Sequence, residues 1–238
     1  MEEDRDVLIL AHRGAHHPET PGVPENTVAA FQAALGLGID GVELDVRRAG
    51  DGVLVVHHDP ALPDGRPISG TAAAALPPSV PTLSAALSAC ASLTLVDVEI
   101  KASPLEPGYD SSHIVALEVA HLLAQADGRP PAETLVSSFD LGTLDAFRAA
   151  APAVATGWLT LPGYDQLAAA ATAAAGGHAA LNPPDGATTA EVVDAVHAAG
   201  LQAVVWTVDD PARMEQLAAA GVDVLITNRP GLAVSILH

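Results

Sequence analysis

Three short stretches of this chain bring together side chains able to do acid, base and cation chemistry. His12, Arg13 and Gly14 follow an apolar run; Glu43 and Asp45 lie two residues apart in GVELDV; Asp97, Glu99 and Lys101 alternate with Val96, Val98 and Ile100. In a strand, residues two apart share a face, so each acidic set projects to one side and the valines to the other. Carboxylates turned inward are costly unless neutralised. Glu43, Asp45 and Glu99 supply hard oxygen ligands of the kind that suits Mg²⁺ or Ca²⁺. A buried ion-pair network with Arg13 and Lys101 is the other reading. A zinc site would need His12 and His58 as ligands and is disfavoured. Asp97, one step deeper than Glu99, is either a further ligand or a group supporting one.

The elements that must hold these residues follow from short apolar runs alternating with Ala-rich segments, the pattern of a parallel α/β fold. Strands are predicted at 7–12, 41–46, 93–100, 134–138, 156–160, 179–182, 202–207 and 222–227. The run VLVVHH (53–58) follows GVELDVRR after AGDG and reads as the return arm of a β-hairpin. A four-residue turn at 49–52 would pair 48 with 53 and put His58 opposite Glu43. A helix is expected from about Thr27 to Leu37, with Val28, Phe31 and Leu35 on one face. Thr188 and Glu191 form a capping box ahead of Gly200, and Asp210, Pro211 and Gly221 punctuate the last unit. Eight strands with intervening helices predict a (β/α)8 TIM barrel, one domain over 1–238, with the second strand extended by the hairpin and a short cap insertion at about 59–79. An open doubly wound sheet is the alternative, but no Gly-rich nucleotide fingerprint follows the first strand. Barrel active sites lie at the C-terminal ends of the strands, where the polar residues collect.

Composition narrows the partners. The chain of 238 residues carries 10 Lys+Arg against 29 Asp+Glu, a formal charge of −19. That field argues against nucleic acid and against stable docking on an anionic membrane. Seven aromatics offer little for base stacking. Nine of the ten cations are Arg, so Lys101 is the sole lysine. Cys90 is the sole cysteine, excluding an intrachain disulfide, and its apolar setting predicts a core residue on a helix. The acidic MEEDRD start lacks the basic and long apolar regions of a secretory signal, and no run of about 20 apolar residues is present. A cytoplasmic location is expected.

The motifs HRG (12–14), PENT (24–27), VELDV (42–46), VVHHD (55–59), VPTL (80–83), VEIK (98–101), VSSFD (136–140), VVWTVD (204–209) and GVDVLITNRP (221–230) occur in this order. Together they resemble the glycerophosphodiester phosphodiesterase family over nearly the whole chain. The resemblance implies a metal-dependent TIM barrel that hydrolyses glycerophosphodiesters to an alcohol and glycerol 3-phosphate. It implies His12 and His58 as the acid/base pair, with His12 assigned as base and His58 as acid. One divalent cation, Mg²⁺ or Ca²⁺, would sit on Glu43, Asp45 and Glu99, with Glu25 near or on it. Arg13 and Lys101 would meet the phosphate, and Trp206 would wall the glycerol. On this reading Glu25, Glu43, Asp45 and Glu99 balance the divalent ion, Arg13 and Lys101, so the site is formally neutral.

Two other activities stay in view: a phospholipase-type phosphodiesterase on lysophospholipids, and a barrel that binds phosphodiesters without turning them over. His16 and His17 are read as solvent-facing and His57 as structural. Ser137 and Ser138 lack a GxSxG setting. Asn26 reads as a helix cap, and Trp158 as a core aromatic. The sequence departs from the family at Ala49–Gly50, where Thr and Lys are usual, and at Asn228, where Asp is common. The short insertion is expected to leave the glycerol pocket open.

Overall fold

The computed structural model describes residues 7–16, 18–103, 106, 109–125 and 129–238. His17 and the MEEDRD start therefore lie outside the described residues. The elements run β1 (Leu8–Ala11), α1 (Val28–Ala34), β2 (Gly41–Arg48), β3 (Leu54–Val56), α2 (Leu83–Ala89), β4 (Leu95–Ile100), α3 (Ile114–Leu123), β5 (Thr134–Ser138) and α4 (Leu141–Ala150). They continue with β6 (Ala155–Leu159), α5 (Gln166–Gly176), β7 (Ala180–Asn182), α6 (Ala190–Ala198), β8 (Gln202–Val205), α7 (Pro211–Ala219), β9 (Val224–Thr227) and α8 (Pro230–Leu237). Eight strands pair in parallel in the order β1-β9-β8-β7-β6-β5-β4-β2, and β1 closes on β2. The result is a closed (β/α)8 barrel with β3 antiparallel to the end of β2.

Alternation along each strand sorts the two cores. Val96, Val98 and Ile100 of β4 join Ile9, Val42, Leu44 and Phe31 in the layer between strands and helices. Inside the barrel, Leu10, Leu135, Ala180, Val204, Val224 and Ile226 fill the floor with apolar side chains. The inward-facing carboxylates of β2 and β4 lie above that floor, toward the C-terminal mouth. Gly41 lets the two strands meet, because a Cβ there would fall 2.0 Å from the Leu95 carbonyl oxygen. The register then sets Glu43 beside Asp97 and Asp45 beside Glu99.

Several local expectations are corrected. The hairpin loop is three residues, Gly50–Gly52: Ala49 N donates to the Val53 carbonyl and Arg48 pairs with Leu54. Gly52 takes φ +89°, the left-handed position that such a loop needs. The one-residue shift puts His57 N on the Asp45 carbonyl, so His58 does not face Glu43 across a ladder. In α1 the buried residues are Ala30, Phe31 and Ala34, while Leu35 is exposed. The cap of α6 is Thr189, accepting from Val192 N, because Thr188 donates its hydroxyl to the Pro184 carbonyl at the end of a 3-10 turn. Asp210 and Pro211 start α7 as expected, and Cys90 is buried at the end of α2.

The segment after β3 packs Leu62, Ile68 and Leu76 against Ala49 and Val55 of the hairpin. It crosses the tip so closely that a Cβ on Gly50 would lie 3.0 Å from the backbone of Gly70 and Thr71. The Ala49–Gly50 departure is thus the local condition for seating this segment.

Candidate active site

Glu43, Asp45 and Glu99 each present an oxygen within 4.8 Å of the others, and all three are buried. Arg13 Nε lies 3.2 Å from Asp45 Oδ2 and its Nη1 is 2.8 Å from Glu25 Oε1. Lys101 Nζ lies 3.3 Å from Asp45 Oδ1 and 2.8 Å from Glu99 Oε1. The ion-pair reading of the sequence is therefore physically present, but it is short of positive charge. Three buried carboxylates face two cations, and one of those cations is shared with Glu25. Burial pushes Glu43 well above its ordinary range, and Asp45 and Glu99 push it further. Burial likewise takes Glu99 up to about 7 against the pull of Lys101. Asp45 escapes: burial raises it, but Lys101 and Arg13 outweigh this and hold it at about 2. Among the described residues Glu43 Oε1 is buried with no hydrogen-bond partner. An unpaired oxygen beside two further carboxylates is a donor set that fits a hard divalent cation.

Glu25 lies apart from these three, its side chain 42% exposed and engaged with Arg13. Asp97 lies deeper, with neither carboxylate oxygen hydrogen-bonded in good geometry. Burial raises it to about 8, with Ser137 pulling the other way. At neutral pH this side chain is mostly an uncharged acid under the cluster.

The two histidines approach from different elements. His12 follows β1, with Nδ1 2.7 Å from Asn228 Oδ1 and Nε2 3.9 Å from Glu43 Oε2. Burial, then Arg13, lowers it to about 4. His58 follows β3, with Nδ1 2.7 Å from Asp59 Oδ1. Burial and Lys101 lower it too, while Asp45 and Asp59 resist. Its carbonyl accepts from Arg47 Nε at 2.8 Å, and Arg47 also pairs with Glu106 at 2.8 Å. The Trp206 ring packs edge-on against Phe139 at 5.4 Å, and the Phe139 ring lies 5.9 Å from Lys101 Nζ.

Several supporting residues carry more than the sequence reading gave them. Asn26 does not cap α1; Thr27 does, accepting from Ala30 N. The Asn26 amide instead donates to Asp45 Oδ2 at 2.6 Å, from a backbone at φ +56°. Arg13 has φ +58°, and its amide donates to Glu43 Oε2 at 3.0 Å. Two non-glycine residues held at positive φ beside the same carboxylates mark a loop shaped for the site. His16 is half-buried rather than solvent-facing, 3.3 Å from Asn228 Oδ1. Ser138 spends its hydroxyl on the Ile100 carbonyl, and Trp158 is buried with Nε1 on the Phe139 carbonyl. Asn26, Asp59 and Asn228 were visible as neighbours of motif residues, but only folding shows which polar atoms they meet.

A buried carboxylate cluster, two cations and two imidazoles gather at this barrel mouth, and the matches that follow make the protein a barrel hydrolase of phosphodiesters. The sequence matches the glycerophosphoryl diester phosphodiesterase family model over residues 12–75 and 62–232. The chain belongs to that family. It is 28% identical to a glycerophosphodiester phosphodiesterase of Caldanaerobacter subterraneus subsp. tengcongensis, covering 98% of each chain. It is 30% identical to one of Bacillus altitudinis, covering 96% of this chain and 97% of that one. Among solved structures it resembles an Oleispira antarctica phosphodiesterase in complex with the product sn-glycerol-3-phosphate. That likeness has a TM-score of 0.81 at 25% identity and covers 96% of each chain. No helix among the described residues is long and apolar enough to cross a membrane.

Proposed function

We propose that this protein hydrolyses glycerophosphodiesters to an alcohol and glycerol 3-phosphate with the help of one divalent cation. The observation that carries the reading is the pairing of two differently supported imidazoles with a cluster of carboxylates short of positive charge. Family membership and the product held by the Oleispira relative support the same substrate class. Glu43, Asp45 and Glu99 would hold the cation, Mg²⁺ or Ca²⁺, and Glu25 would act beside them through Arg13. When bound, the cation neutralises phosphoryl oxygen charge as the transition state forms.

The chain's own residues do the rest. Arg13 and Lys101 meet the phosphate oxygens, and Asn26 keeps Asp45 turned inward. His12, uncharged at neutral pH, accepts the proton of the attacking hydroxyl at Nε2. That hydroxyl is water or the 2-hydroxyl of the glycerol moiety; the latter route gives a cyclic phosphate, whose ring P–O bond water then breaks to yield glycerol 3-phosphate. His58 gives its proton to the departing alkoxide. Trp206, with Phe139, offers an apolar wall to the glycerol carbons.

The test is chemical. Protein stripped with chelator is given Mg²⁺, Ca²⁺ or Mn²⁺ and offered glycerophosphocholine or a lysophospholipid. Release of glycerol 3-phosphate from the first substrate, only with metal, is expected. Preference for the lysolipid would move the activity to the phospholipase type. Metal binding without turnover of either would leave a binding barrel.

A further inference from the structure

The contacts of Asn228 are unusually complete for a residue outside the carboxylate cluster. Its backbone N–H donates to Asp209 Oδ1 at 2.8 Å, and its side-chain Nδ2 donates to Asp209 Oδ2 at 2.8 Å. Thr227 Oγ1 also donates to Asp209 Oδ1, at 3.1 Å. A carboxylate only accepts, so the amide nitrogen of Asn228 must face Asp209. The amide oxygen must then face the other way. There it meets His12 Nδ1 at 2.7 Å and His16 Nε2 at 3.3 Å. An amide oxygen only accepts, so His12 must carry its proton on Nδ1. A neutral imidazole has one proton, so the lone pair is left on Nε2, the nitrogen on the side of Glu43.

From this geometry we propose that Asp209 and Asn228 act as a positioning pair that fixes the tautomer of His12. Asp209 orients the amide, the amide selects Nδ1–H, and Nε2 is kept free to take a proton at the carboxylate cluster. The inference deepens the proposed function, since it rests on His12 as the base, and it names two residues for which that reading had no role. It also explains how a neutral side chain serves at 228. An amide beside Asp209 can be read in one orientation only, so it specifies the imidazole as firmly as a carboxylate does, without adding charge. The buried end of β1 is already crowded with acids, and a further negative group there would have to share space with Asp209.

The experiment reads the tautomer directly. Protein carrying ¹⁵N-labelled histidine is examined by long-range ¹H–¹⁵N correlation at pH 7.5, metal-free and with Mg²⁺, and the His12 signals are assigned from His12→Gln. Wild type is expected to show His12 protonated at Nδ1 and bare at Nε2. Asp209→Ala frees the amide to turn, so His12 should become a mixture of tautomers. Its kcat should fall about ten-fold, with KM and Mg²⁺ affinity within two-fold of wild type. Asn228→Leu should give the same spectral change, which guards against an effect confined to the Asp209 loop. The double variant Asp209→Ala/Asn228→Asp is the rescue. A carboxylate at 228 presents an acceptor in any orientation, so Nδ1–H should return. A wild-type His12 protonated at Nε2, or a tautomer unchanged in both single variants, would overturn the proposal. So would a double variant that stays mixed. Because the spectrum needs no substrate, it separates this inference from the activity itself. Wild type without metal-dependent release of glycerol 3-phosphate would refute the proposed function and leave the tautomer result standing.

Discussion

The two imidazoles of this mouth are placed by opposite means. His12 stands at the end of a central barrel strand, its side chain 16% exposed, and leans on the neutral amide of Asn228. His58 leaves a hairpin arm that belongs to no barrel strand, is 35% exposed, and leans on Asp59, itself 70% exposed. Burial is the main influence lowering both rings, and each hydrogen-bond partner resists it, Asn228 at His12 and Asp59 at His58. Deeper burial keeps the His12 ring uncharged at neutral pH, the state that the proposed base needs. The His58 side, nearer solvent and beside Asp59, is the one that the proposal makes the acid. The difference teaches that two identical side chains in one mouth can differ in both burial and hydrogen-bond partner, and the proposed division of roles rests on both.

The largest expected effects come from breaking the two sides in turn. His12→Ala should lower kcat about 10³-fold while metal affinity, measured by titration calorimetry, stays largely intact. His58→Ala should lower kcat comparably on glycerophosphocholine, whose leaving alkoxide needs a proton. On a glycerophosphodiester with a nitrophenol leaving group, His58→Ala should recover most of the wild-type rate, because nitrophenolate leaves without protonation. His12→Ala should recover nothing. Rescue of His12→Ala by that substrate would exchange the two assignments.

A middle-sized effect belongs to Arg47, which is buried and holds both the His58 carbonyl and Glu106. Arg47→Met removes the strut under His58 but nothing that touches His12. The kcat on glycerophosphocholine should fall about ten- to a hundred-fold, the range expected for a misplaced catalytic group. The nitrophenyl substrate should be nearly unaffected. Equal losses on both substrates would mean that Arg47 supports the whole mouth.

The same contrast separates what was legible in the sequence from what was not. The His12 side could be read because strands alternate: Glu43 with Asp45, and Asp97 with Glu99 and Lys101, had to share faces, and the valines fixed which face was inward. The His58 side misled because its register hangs on one loop. A four-residue turn and a three-residue turn differ by one position, and Gly52 at positive φ selects the latter. Polar partners joined across the barrel were harder still. Asn228 meets His12 over 216 positions of sequence, and no periodicity connects them. Asn26 was within reach, since Asn tolerates positive φ, but the neighbouring Thr27 was an equally good cap.

The smallest effect should come from Asp59, and its direction is the most discriminating. Asp59 raises His58 by accepting its Nδ1–H, while burial and Lys101 lower it. Replacing it by Asn removes the raising influence, so the imidazolium gives up its proton at a lower pH. If His58 is the acid, activity on the alkaline side depends on that proton, and the alkaline limb of kcat/KM must move to lower pH in Asp59→Asn. The acidic limb, which reports the base, should stay where wild type has it. An exposed pair of this kind is worth up to about 1 kcal/mol, so the loss at the pH optimum should be about five-fold or less. The profile is measured with Mg²⁺ from about pH 3 to 9, on glycerophosphocholine, so that the limb set by His12 at about 4 is covered. Movement of the acidic limb instead would make His58 the base, and the division of labour between strand and hairpin would have to be drawn the other way round.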